Sequence, residues 1–110
     1  MFSSKNEEFM IKALIQKNKE DLEEELTFIF DDGSKYSGVI NSFYETDNGL
    51  EMDEEGYLEY YACAVSIKTI HVNNSQSIQF IKKGTIQELG GNNIPRAILS
   101  SDGTTLWSNN

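Results

Sequence analysis

Few residues in this chain could do chemistry. It has one cysteine, Cys63, and one histidine, His71. No Gly-x-Ser-x-Gly, phosphate-binding glycine loop or calcium-loop spacing occurs. An enzyme would depend on carboxylates alone, so neither enzymatic activity nor a cofactor is expected. His71 lacks a second ligand at metal-binding spacing, so no metal is expected. Cys63 lies between Ala62 and Ala64 and reads as a small buried hydrophobe. Binding chemistry is better represented. Asn48 carries an amide, both donor and acceptor, within the turn sequence Asp47-Asn48-Gly49. Tyr57, Tyr60 and Tyr61 suit packing or an interface.

Charge narrows the partners. Residues 1–61 hold 16 acids and 5 lysines, whereas residues 62–110 hold 2 acids and 4 basic residues. The acids cluster at 20–25 and 51–59. Such a surface repels polyanions except at a selectively exposed basic face, because nucleic-acid affinity comes largely from cations. The simplest reading is a solvated acidic surface that keeps the chain soluble.

At 110 residues the chain is one domain. No apolar run approaches the ~20 residues that cross a bilayer, and Met1 to Glu8 lacks the pattern of a signal peptide. With a single cysteine, this points to the cytoplasm and away from membranes.

The elements follow from periodicity. Ser4 and Glu7 have capping-box spacing. Phe9, Met10, Ala13, Leu14 and Lys17 form a stripe, predicting a helix over 5–20. From Leu26 the period falls to two. Leu26 to Phe30 reads as a first strand, Asp31 to Ser34 as a turn and Tyr36 to Tyr44 as a second strand, bent at Gly38. Leu50 and Met52 suggest a short third strand, Tyr57–Ala64 a fourth and Val65–Val72 a fifth. The predicted fold is mainly β: an N-terminal helix, then a strongly bent five-stranded small barrel over 24–72. A C-terminal extension over 73–110 would comprise a hairpin at Ser77–Ile81 and a docked tail.

Gly33, Gly38, Phe43 and Asn48 recur at intervals of five. This spacing resembles the first signature of the Sm-like family, and Ile67-Lys68-Thr69 loosely resembles the second. The N-terminal helix and the frame Tyr61-Ala62-Cys63-Ala64-Val65-Ser66 are similar to the bacterial Hfq-like branch. The resemblance implies a homo-oligomeric ring of about five to seven subunits that binds single-stranded RNA at its pore. It implies RNA contacts at Asn48 and Lys68, and at Tyr44 and Thr46, which occupy two further motif positions. It also implies a subunit interface that includes Tyr57, Tyr60, Tyr61, Ile67 and Ile70. The family's RNA-contacting lysine and histidine are here Ala62 and Cys63. A second expectation is therefore an acidic oligomeric scaffold that has lost RNA. A third is a monomeric SH3-like module that binds a peptide through its tyrosines.

Overall fold

A computed structural model of the protein describes residues 2, 4–21, 23–72, 83–91 and 93–109. Helix α1 spans Lys5–Glu20. Ser4 is extended at its N-cap, and its hydroxyl accepts the Glu7 N–H at 3.1 Å. This satisfies one of the donors that the first turn leaves without an intrahelical partner. The buried face consists of Glu7, Met10, Ile11 and Leu14, at intervals of three, one and three. The expected stripe included Phe9, but Phe9 is 57% exposed and Ile11 is fully buried. The face that meets the sheet is thus rotated from the predicted one.

Six antiparallel strands follow: β1 (Leu26–Ile29), β2 (Lys35–Asp47), β3 (Glu59–Val72), β4 (Ile86–Leu89), β5 (Ala97–Leu99) and β6 (Thr105–Ser108). They form one open sheet in the order β4-β3-β2-β1-β5-β6. The expected five-stranded barrel is replaced by this arrangement, and three causes are visible. No Gly, Pro, Asn or Asp falls between Tyr60 and Val72, so the predicted fourth and fifth strands run on as β3. Part of the predicted third strand is instead a turn over Glu51–Glu54, where Met52 is 79% exposed. The tail supplies β5, which pairs with β1 through Thr27↔Leu99, Phe28↔Ile98 and Ile29↔Ala97. Helix α1 packs against both β3 and β6. The expected hairpin at Ser77–Ile81 lies outside the described residues.

Two glycines shape the β1–β2–β3 meander. Gly33 has φ 91° in the β1–β2 turn, a region that favours glycine. At Gly38 the register shifts against β3, and an added Cβ would lie 2.4 Å from the Ser66 carbonyl oxygen. Only a residue without a side chain permits this approach.

The core lies between α1 and one face of the sheet. Met10, Ile11 and Leu14 meet Leu26, Phe28, Tyr36, Val65, Ile67, Leu89 and Ile98. Tyr36 stacks near Phe28 and Phe30, with ring centroids at 5.4 and 5.6 Å. Its hydroxyl is buried and has no hydrogen-bond partner among the described residues. Burial holds that phenol well above its ordinary pKa. Leaving a buried hydroxyl unmatched costs about 1–3 kcal/mol. Tyr36→Phe is therefore expected to stabilise the chain by about 1 kcal/mol, seen as a higher urea midpoint at unchanged slope.

Candidate functional site

The central feature is the outer half of the β2–β3 hairpin. β1 pairs with β2 only from Lys35 to Gly38, and β4 pairs with β3 only from Cys63 to Ser66. Beyond these limits β2 and β3 continue together to Asp47↔Glu59 as a two-stranded arm. Such a ribbon is marginal by itself and needs support from neighbours.

Glu88 of β4 provides one support. One carboxylate oxygen accepts the Tyr44 hydroxyl and the other accepts the Tyr60 hydroxyl. Desolvation, with this hydrogen bond second, pushes the Tyr44 phenol up to about 12. The same two causes raise Tyr60. Glu7 provides another: its buried carboxylate accepts the Tyr61 N–H at 3.3 Å and the Gly91 N–H. Gly91 lies against the Tyr60 ring, which an added Cβ would meet at 3.0 Å. The helix N-terminus, the arm's base and the loop after β4 therefore meet at one place.

The tip is closed by Asn48. Its amide nitrogen donates to the Gly56 carbonyl at 2.7 Å, and its amide oxygen accepts the Leu58 N–H at 3.3 Å. The Asn48 N–H donates to the Leu58 carbonyl at 3.1 Å. Donor and acceptor are both engaged within the loop, which is the turn role its sequence context suggests.

Residues 41–60 carry seven carboxylates and no lysine or arginine. The whole chain has net charge −9, so the arm accounts for most of it. Glu45, Asp47, Glu51, Asp53, Glu54, Glu55 and Glu59 are all exposed. A shallow cavity of about 250 Å³ opens on the arm, lined by Glu45, Thr46, Asp47, Tyr57, Glu59 and Tyr60. Tyr57 donates to Glu59 at 2.8 Å, and this bond holds its phenol up to about 12. Thr46 and Tyr44, singled out from sequence, lie on the arm.

Lys68 lies elsewhere. It is exposed on β3 near the level of Ser37 and Gly38, beside a separate cavity of about 280 Å³ lined also by Glu23, Val39, Ile40, Asn41 and Ser66. Asn48 lies just past the outer end of β2, ten residues beyond Gly38. The two expected RNA contacts are not brought together within the chain. Ile67 is buried in the core, and Ile70 packs against it. Tyr61 packs partly against the core as well, with the Phe2 ring 5.5 Å away. Tyr57 and Tyr60 remain on the arm.

The lone histidine and cysteine take structural places. Ser37 Oγ lies 2.8 Å from His71 Nε2 and 2.9 Å from Thr27 Oγ1, a polar link across β1, β2 and β3. Cys63 is buried, and desolvation pushes its thiol up to about 12. Native protein is expected to resist iodoacetamide at neutral pH and to react fully in urea, as read by mass spectrometry. Sequence reasoning missed Glu88 and the inward turn of Glu7. Both act across long separations, and only the capping-box spacing drew attention to Glu7.

No helix among the described residues is long and apolar enough to cross a membrane. No curated protein and no solved structure matches the chain significantly. A family model described as cognate immunity protein YxxD matches residues 6–110. This match overturns the Sm-like and Hfq-like resemblance, and with it both the RNA-binding ring and the Sm-like scaffold. The shared spacing has a physical origin in this fold: Gly33 serves a hairpin turn, Gly38 a close strand approach and Asn48 a loop closure. With nearly its whole length matched, the chain belongs to the family of YxxD cognate immunity proteins.

Proposed function

We propose that the chain neutralises a cognate toxin by binding it directly, with the acidic arm as the contact surface. The family supplies the kind of partner. The carrying observation is the concentration of seven exposed carboxylates, unmixed with cations, on residues 41–60. A field of one sign on a projecting element steers an oppositely charged partner and raises the association rate. Tyr57 and Tyr60 add the amphipathic rings that anchor interfaces. The chain acts as a binding protein with no catalysis of its own, in the cytoplasm, where its single thiol stays reduced.

Titration calorimetry with the cognate toxin tests this reading. Between about 0.05 M and about 0.5 M salt the affinity is expected to fall at least tenfold, because exposed charges are screened over shorter distances as salt rises. Salt-independent binding would remove the arm from the contact. Absence of binding would remove the function.

A further inference from the structure

β2 has an open edge. β3 covers one side of it as far as Asp47, whereas β1 stops at Gly38 on the other side. From Val39 to Asp47 no strand among the described residues pairs with that second side. The stretch is about 27 Å long at ~3.4 Å per residue. Its register shifts between Ile40 and Ser42, then stays regular from Ser42↔Ala64 to Asp47↔Glu59. Natural sheets guard exposed edges with proline, charged side chains (lysine above all) or a bulge, and the charges on this segment are Glu45 and Asp47. The segment Ser42–Asp47 contains no proline and no lysine, and its regular ladder begins after the irregularity. It has the length and regularity that accept an added strand.

Charge decides what that strand can be. Glu45 and Asp47 are two apart on β2 and so project from the same face. Glu59 sits opposite Asp47 on β3. A strand laid beside β2 would place side chains about 5 Å from Glu45 and Asp47, within direct cross-strand reach. A second copy of this chain would bring its own carboxylates there, and like charges placed opposite one another destabilise a pair. A strand with lysine or arginine at alternate positions reverses the sign. The cavity at the outer end of the edge suits such a residue. Its three carboxylates match a guanidinium fork, and Tyr57 and Tyr60 line it beside them.

We propose that the toxin adds a basic β-strand to the open edge of β2 over Ser42–Asp47 and seats one cationic side chain in the cavity lined by Glu45, Asp47 and Glu59. This rests on the toxin-binding reading and specifies its mode. Main-chain hydrogen bonds hold the strand, and the carboxylates select its sequence.

Amide-resolved hydrogen exchange by NMR, on the free chain and on its complex with the cognate toxin, tests the mode. In the complex, alternate amides between Ser42 and Asp47 are expected to exchange at least tenfold more slowly, because only every second N–H faces the edge. Binding with these amides unchanged, or with uniform slowing along both strands, overturns strand addition and leaves toxin binding intact. A free chain that sediments as a dimer with the same alternate protection assigns the edge to a second copy and overturns the proposal. A toxin that does not bind overturns the functional reading and this inference together.

Discussion

Reversing Glu45, Asp47 and Glu59 to lysine together is expected to abolish neutralisation and to weaken toxin binding by at least about 1,000-fold. The three carboxylates share one cavity and one end of the arm. Replacing each attractive pair with a repulsive one changes both the encounter and the docked state. The fold is expected to survive, because all three residues are exposed. Calorimetry reports the lost affinity, and a melting curve within a few degrees of wild type reports the retained fold. Reversal of Glu20 and Asp31, exposed acids outside the arm, provides the control. It is expected to change affinity by less than about tenfold, through long-range steering alone. Equal losses from the two sets would show that net charge, and not the arm, governs binding.

The largest effect on stability is expected at Glu7. Its side chain is fully buried although it bears a carboxylate. One oxygen accepts the Gly91 N–H and the other the Tyr61 N–H. Glu7→Ala leaves these two part-buried amides without that acceptor, at up to about 1–3 kcal/mol each. A total loss of about 2–5 kcal/mol is expected, comparable to a large part of a small domain's stability. Glu7→Gln retains the shape but offers a single acceptor oxygen, so it directs an amide N–H against one of the donors. It is expected to fall between alanine and wild type. Urea unfolding with the slope compared across the three proteins checks the order. The site joins α1, β3 and the loop after β4, so the loss is expected to be global rather than confined to the helix end.

The legible parts of this chain were those fixed by near neighbours. The helix range 5–20 follows from Ser4 and a periodic apolar face, and α1 spans Lys5–Glu20. The Gly33 turn and the β1 and β2 strands follow from local turn chemistry and alternation. The continuity of β3 is also present as a signal, the lack of any turn former from Tyr60 to Val72. The pairing of β5 with β1 joins residues about 70 positions apart, and no local pattern encodes it. The same holds for Glu88, whose role depends on phenols 28 and 44 residues earlier. The glycine and asparagine spacing misled because a tightly bent hairpin needs the same residues in any family. The acidic cluster at 51–59 is visible in the sequence, where it suggests a solvated surface. Only the geometry shows that it lies on a projecting element with an open strand edge.

The double tether at Glu88 has a consequence for recognition. A pair of strands that leaves the body of a domain unsupported would swing, and whatever captured it would have to freeze that swing. Here one anionic side chain fastens two aromatic stays, so the orientation is chosen while the chain folds, ahead of any encounter. Less disorder then has to be removed at capture, and the same set of contacts yields a longer-lived complex.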